Sequence, residues 1–207
     1  MNAEKCLSLL REIKDVSFAS VNKQGQPRVR IIDVMYVNCQ ELVFCTSRGK
    51  DFYQEICLNP YVGITGLTPN YEMIRLHGQV KKIAHQKEWI DKIFIENPSM
   101  NNVYPNESRY ILEAFYLDQG EIEYFNLGKE PIDRMYFSLG NSKEISKGYQ
   151  INEKCIGCGK CKKLCPQQCI EKGKPYHIHL KHCLHCGLCY ENCPVRAIQR
   201  ITVEEEH

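Results

Sequence analysis

Nine of the chain's 13 cysteines crowd between Cys155 and Cys193, and they do so in a repeated pattern. Cys155-Ile156-Gly157-Cys158-Gly159-Lys160-Cys161-Lys162-Lys163-Leu164-Cys165-Pro166 returns 28 residues later as Cys183-Leu184-His185-Cys186-Gly187-Leu188-Cys189-Tyr190-Glu191-Asn192-Cys193-Pro194. Each half then runs on to an isoleucine, Ile170 or Ile198. Two copies of one small unit predict a pseudo-twofold module. Three cysteines with two residues between neighbours let a loop wrap one corner of an iron–sulfur cube. A fourth, three residues on and followed by proline, reaches across to the other cube. On this reading one 4Fe-4S cluster takes Cys155, Cys158, Cys161 and Cys193, and a second takes Cys183, Cys186, Cys189 and Cys165. Paired Cys-x-x-Cys units also bind zinc, but zinc pairs sit on separate knuckles, whereas three ligands in a row plus Cys-Pro, twice over, fit a cubane. A module this small and this poor in aliphatics needs its clusters as core as well as chemistry.

The segment from about Gln150 to Val203 resembles the bacterial two-cluster ferredoxin domain, and all eight ligand positions match. Gly157, Gly159 and Gly187 allow close backbone approach to the sulfurs. Cys169, the ninth cysteine, falls on Ala197 when shifted by 28 and is expected to fill a small apolar slot. His177 and His179 alternate with Tyr176, Ile178 and Leu180 and are expected to face water. Charges interrupt Met1 to Lys14, and no apolar stretch approaches the ~18–20 residues of a membrane span, so the expected location is the cytoplasm, with no membrane. Thiols stay reduced there, which again favours metal ligation over disulfides. A net charge of +2 argues against nucleic acid bound through bulk charge, and 43% hydrophobic residues are enough for a packed core.

The first 127 residues read as a compact α+β domain. Cys6, Leu9, Leu10 and Ile13 mark an amphipathic helix. Val16–Val21 and Pro27–Tyr36 form a hairpin across Asn22-Lys23-Gln24-Gly25. A strand through Leu42–Cys45 leads into a helix over Lys50–Leu58 that Asn59-Pro60 stops. Val62–Leu67 and Tyr71–Val80 pair across Thr68-Pro69-Asn70. Lys87–Glu96 is helical, and Tyr110–Leu117 and Glu121–Leu127 are expected to form a last hairpin. At least six strands with few helices predict a small antiparallel barrel. From Gly128 to about Gly148 the pattern weakens and reads as the tail of the barrel followed by a linker. The expected domains are 1–146 and 147–207.

Within the barrel, Thr46-Ser47-Arg48-Gly49-Lys50 joins a strand to a helix, with Ser47 placed to cap the helix and two cations beside its free amides, a pattern suited to phosphate. Arg30 sits on a strand face with Arg28, Ile32 and Val34, which implies a buried anionic partner or an exposed edge. These segments, with Phe18-Ala19-Ser20-Val21, Gly25-Gln26-Pro27-Arg28-Val29-Arg30, Phe44-Cys45-Thr46-Ser47, Asn59-Pro60-Tyr61-Val62 and Arg75-Leu76-His77-Gly78, resemble the pyridoxamine-phosphate-oxidase-like FMN-binding split barrels over residues 5–130. The resemblance implies a six-stranded antiparallel split β-barrel and a homodimer with flavin at the subunit interface. It implies that Arg30 holds the FMN phosphate, that Ile31 and Ile32 line the isoalloxazine, and that Thr46, Ser47 and Lys50, with Arg48 nearby, contact the ribityl phosphate. Met35 stands where the vitamin-forming oxidases carry a lysine, and their C-terminal substrate-binding segment has no counterpart, which removes pyridoxamine phosphate as the expected substrate.

Two one-electron centres beside a two-electron cofactor can gather single electrons and deliver a pair. The combination therefore implies an iron–sulfur flavoprotein oxidoreductase passing electrons between two 4Fe-4S clusters and FMN, to or from an organic substrate. The alternative is an electron-transfer relay with no small-molecule reaction of its own.

Overall fold

A computed structural model of the protein describes residues 1–142 and 144–205. The amphipathic N-terminal pattern becomes helix α1 (Ala3–Ile13), where the Asn2 side chain accepts the Lys5 amide at 2.8 Å and Cys6, Leu7, Leu9 and Leu10 are buried. Such a cap satisfies one of the donors that every helix start leaves unpaired. Strands β1 (Asp15–Val21) and β2 (Pro27–Asp33) pair as the expected hairpin, with Gly25 in the turn at φ +76°, a conformation that favours glycine. The run expected to continue to Tyr36 breaks after Asp33. Val34 donates instead to the Lys14 carbonyl and Met35 to that of Val43, so β3 (Tyr36–Val37) joins a different sheet.

After β3 come β4 (Leu42–Ser47), α2 (Asp51–Leu58), β5 (Tyr61–Leu67), β6 (Glu72–Gln79), β7 (Lys81–Lys82), α3 (Gln86–Glu96), β8 (Leu112–Leu117), β9 (Gly120–Asn126) and β10 (Asp133–Leu139). They make a six-stranded antiparallel sheet in the order β10-β9-β6-β5-β1-β2 and a four-stranded sheet β3-β4-β8-β7. Phe18 of β1 meets Phe44 of β4 with ring centroids 4.9 Å apart, and Phe44 also meets Phe115 of β8 and Phe52 of α2, both at 5.8 Å. Each such pair adds about 0.5–1.5 kcal/mol beyond its burial, so this aromatic cluster is the seam that joins the two sheets.

Two sequence expectations are corrected. Tyr110–Leu117 and Glu121–Leu127 are not a hairpin, because β8 pairs with β4 and β7 while β9 lies beside β6. The chain changes sheet at Asp118-Gln119, where β6 comes so close that a Cβ on Gly78 would lie 2.2 Å from the Gln119 carbonyl oxygen. Of 128–148, the expected barrel tail holds, since β10 extends the six-stranded sheet, but the expected linker does not: it contains most of β11 (Glu144–Ile151), which pairs in full register with β14 (Ile198–Glu205). That partner lies about fifty residues further along the chain, and no local pattern announces it.

The chain forms two compact units. The first comprises Met1–Pro69, Met73–Ile122 and Phe137–Ser142; the second comprises Asn70–Glu72, Glu123–Tyr136 and, among the described residues, 144–205. Besides β11 and β14, the second unit contains α4 (Lys160–Leu164), β12 (Ile170–Glu171), β13 (His177–Ile178) and α5 (Leu188–Glu191). The 28-residue repeat reappears in its backbone. Gly159 and Gly187 precede α4 and α5 at φ +71° and +80°, Gly157 and His185 match at +70° and +58°, and Gln168 and Arg196 match at +50°. Cys169 and Ala197 are both buried as expected, and the exposed His177 and His179 flank the buried Ile178.

Candidate cofactor sites

All 13 cysteines are free thiols. Nine of them line two cavities. One is lined by Cys155, Cys158, Cys161 and Cys193 with Ile151 and Tyr176. The other is lined by Cys165, Cys169, Cys183, Cys186 and Cys189 with Tyr149 and Ile178. Each cavity thus brings three cysteines of one repeat to the Cys-Pro cysteine of the other, and the second adds Cys169. The glycine before each short helix keeps the wall thin: a Cβ would lie 3.2 Å from the Tyr176 hydroxyl at Gly159 and 3.1 Å from the Tyr149 hydroxyl at Gly187. Backbone amides already point at sulfur, from Ala197 to Cys193 at 3.2 Å and from His185 to Cys183 at 3.4 Å. Four soft donors drawn from both repeats suit a cubane by their chemistry and spacing. Among the described residues no three Cys, His, Asp or Glu side chains converge as they would around a single ion.

The thiols differ in acidity. Burial pushes Cys189 up to about 11 and also raises Cys161. Cys183 is drawn down to about 6, first by a hydrogen bond from Cys169. Cys169 lies with its sulfur 3.5 Å from that of Cys165, so its apolar slot borders the second cavity.

In the first unit, Thr46 and Ser47 end β4, and Arg48, Gly49 and Lys50 lead into α2. The expected Ser47 cap is not formed. The helix begins one turn later with Lys50 as its N-cap residue, while the Ser47 carbonyl accepts the Lys50 amide. The Thr46 hydroxyl is buried and has no protein partner among the described residues. A buried orphan hydroxyl beside two cations and a helix start fits an oxygen-rich anionic group.

Arg30 is engaged elsewhere. It donates to the Ser20 hydroxyl at 2.6 Å and to the Glu55 carboxylate at 2.7 Å, Ser20 donates to the same carboxylate oxygen at 2.5 Å, and the guanidinium lies 4.6 Å over the Phe52 ring. The anionic partner foreseen for Arg30 is therefore supplied by α2 itself. Ile32 is half-buried on the inner side of β2, whereas Ile31 and Val29 are exposed on its outer side.

Glu113 was not singled out by sequence, yet it faces Thr46 across β4 and β8 and gathers Lys82 at 2.6 Å, the Tyr53 hydroxyl at 2.7 Å and Arg48 at 3.7 Å. Burial alone would raise its carboxyl, but the hydrogen bonds from Lys82 and Tyr53 and the charges of Lys82 and Arg48 outweigh burial and hold it below the usual carboxylate value. The hydrogen bond to Glu113 in turn raises the Tyr53 phenol. Ser20 carried the available signal, a polar residue in an inward-facing row. Glu113 and Glu55 carried none, since acids within apolar segments look alike until their partners are known.

Fold and cavities together define a split barrel joined to an iron–sulfur module. Residues 3–102 match the family model for pyridoxamine 5'-phosphate oxidase, and residues 154–199 match that for the 4Fe-4S dicluster domain. The chain thus carries a domain of the pyridoxamine 5'-phosphate oxidase type followed by a 4Fe-4S dicluster domain. It is 30% identical over 82 residues to a pyridoxine/pyridoxamine 5'-phosphate oxidase of Rippkaea orientalis, a match spanning 39% of this chain and 39% of that protein. Among solved structures it resembles a NimC/NimA family protein from Clostridium acetobutylicum, with 25% identity, a TM-score of 0.55, and coverage of 65% of this chain and 90% of that one. It also shares the fold of a protein related to general stress protein 26 from the same organism, with 14% identity, a TM-score of 0.52, and coverage of 65% and 94%. Among the described residues no helix is long and apolar enough to cross a membrane.

Proposed function

We propose that the protein is a cytoplasmic iron–sulfur flavoprotein oxidoreductase. Residues 147–207 hold two 4Fe-4S clusters, one on Cys155, Cys158, Cys161 and Cys193 and the other on Cys183, Cys186, Cys189 and Cys165, and residues 1–146 hold FMN. The observation that carries this reading is the pair of cavities, each lined by the three closely spaced cysteines of one repeat and the Cys-Pro cysteine of the other, with Cys169 beside the second set. Bound clusters supply single electrons and bound flavin exchanges them in pairs. The chain's own residues bind and orient. Thr46, Ser47, Arg48 and Lys50 anchor the phosphate end, and Ile31 and Ile32 flank the ring. Arg30, held by Ser20 and Glu55, keeps β2 and α2 at fixed spacing. The exposed Val29 and Ile31 on the edge strand β2 favour a second copy of the chain against this face.

The test is anaerobic purification followed by iron, sulfide and flavin analysis of one sample. About eight iron and eight sulfide per chain, with one FMN, are expected. Zinc in place of iron, or no flavin under any condition, overturns the reading.

A further inference from the structure

Arg134 lies on β10, outside the cysteine repeat, yet its side chain is only 10% exposed and belongs to the same compact unit as the cysteines. The guanidinium rests 4.1 Å over the Phe125 ring, pairs with the Glu123 carboxylate, and brings Nη1 to 3.4 Å from His185 Nδ1. His185 stands between two ligand cysteines, where the first repeat has Gly157. Both adopt the left-handed conformation, which costs a non-glycine residue about 1–2 kcal/mol. The second repeat therefore tolerates strain to place an imidazole there, and the amide of that same residue donates to Cys183 Sγ at 3.4 Å. The first repeat has no side chain at the equivalent position, where a Cβ on Gly157 would meet nothing within 4 Å. Arg134 Nε and His185 Nε2 are buried without protein partners among the described residues, so their polarity is not spent on other hydrogen bonds.

Arginine keeps its charge at any working pH, and a buried charge acts over several ångströms with little screening. Reduction of a 4Fe-4S cluster adds one negative charge, which a neighbouring cation favours. We infer that Arg134, positioned by Glu123 and His185, makes the cluster on Cys183, Cys186, Cys189 and Cys165 the higher-potential of the two, so that a single electron shared by the pair resides there. This rests on the two-cluster reading above. The step is an exchange of one electron between the clusters, with no bond made and no proton moved. The arrangement is asymmetric although the ligand repeat is symmetric, which gives electron flow through the module a direction.

The test is an anaerobic redox titration of the full-length holoprotein with dithionite, followed by electron paramagnetic resonance, after iron and sulfide analysis of each sample. Arg134→Met is expected to lower one midpoint enough to change the electron partition between clusters at least tenfold, which is 59 mV for a one-electron couple, and to leave the other midpoint in place. Glu123→Gln, which leaves the cation uncompensated, moves the same midpoint upward. His185→Gly restores the residue of the first repeat and shifts that midpoint too, tying it to the second motif, while Arg134→Lys retains most of the wild-type value. A purely structural role would move both midpoints or lose iron. Full iron with unmoved midpoints, or equal shifts in the same direction for Arg134→Met and Glu123→Gln, overturns the inference alone. Should Arg134→Met fail to fold, the opposite displacement in Glu123→Gln and retention in Arg134→Lys still decide it. Wild-type protein with far fewer than eight iron overturns the two-cluster reading itself.

Discussion

Glu55→Gln tests whether the Arg30 cluster holds the barrel together independently of any bound group. The Glu55 side chain is 8% exposed and that of Arg30 23%, and the same carboxylate oxygen accepts from both Arg30 and Ser20. Breaking a fully enclosed ion pair by removing one partner costs about 3–5 kcal/mol, because the surviving charge stays buried and unpaired. Arg30 retains some access to water, so about 2–3 kcal/mol is expected here after screening. Urea unfolding of flavin-free protein, followed by the fluorescence of the single tryptophan Trp89 in α3, reads this directly. With a slope near 2 kcal/mol per molar, the midpoint should fall by about 1–1.5 M. Ser20→Ala should cost about 1 kcal/mol, the ordinary worth of one hydrogen bond. Arg30→Met combined with Glu55→Leu should recover much of the loss, since no unpaired charge remains. If Glu55→Gln moves the flavin-free midpoint by less than about 0.3 M, the pair contributes little and the reasoning fails.

Three further predictions follow from the same geometry. Because the Glu113 carboxyl is held low by its partners, its contribution to stability is complete above the unfolded carboxylate pKa of about 4.3 and is lost as pH falls through the lower folded value; Glu113→Gln should flatten that acid limb in a pH series of unfolding curves. Gly187→Ala, forced into φ +80° against the Tyr149 hydroxyl, should cost about 1–2 kcal/mol and speed loss of cluster absorbance on anaerobic heating. Adding Tyr149→Phe should relieve the steric part but not the backbone part. Cys193→Ser should lower iron to about four per chain, whereas Cys165→Ser should retain more, because Cys169 lies 3.5 Å from Cys165 while its counterpart is Ala197. Equal iron in the two variants would refute a substitute role for Cys169.

The gathering of Cys155, Cys158, Cys161 and Cys193 at one cavity and of Cys165, Cys183, Cys186 and Cys189 at another was legible because metal-ligand spacing is a property of a short stretch of chain, and the repeat states it twice. The hairpin of β1 and β2, the helix over Asp51–Leu58 and the pairing of β5 with β6 were legible for the same reason: turn chemistry and side-chain period act over a few residues. What the linear order concealed was everything that depends on a distant partner. The end of the stretch 128–148 reads as a linker because β11 makes sense only once β14 lies beside it. The segments flanking Asp118 read as a hairpin because a change of sheet leaves no local mark. Arg30 could be recognised as a cation needing an anion, but only the packing of α2 against β1 and β2 decided that Glu55 would supply it. Likewise Arg134 is one arginine among charged neighbours until the fold seats it beside His185. Local stereochemistry is written residue by residue, whereas electrostatic partnership is settled by which surfaces the hydrophobic core brings together.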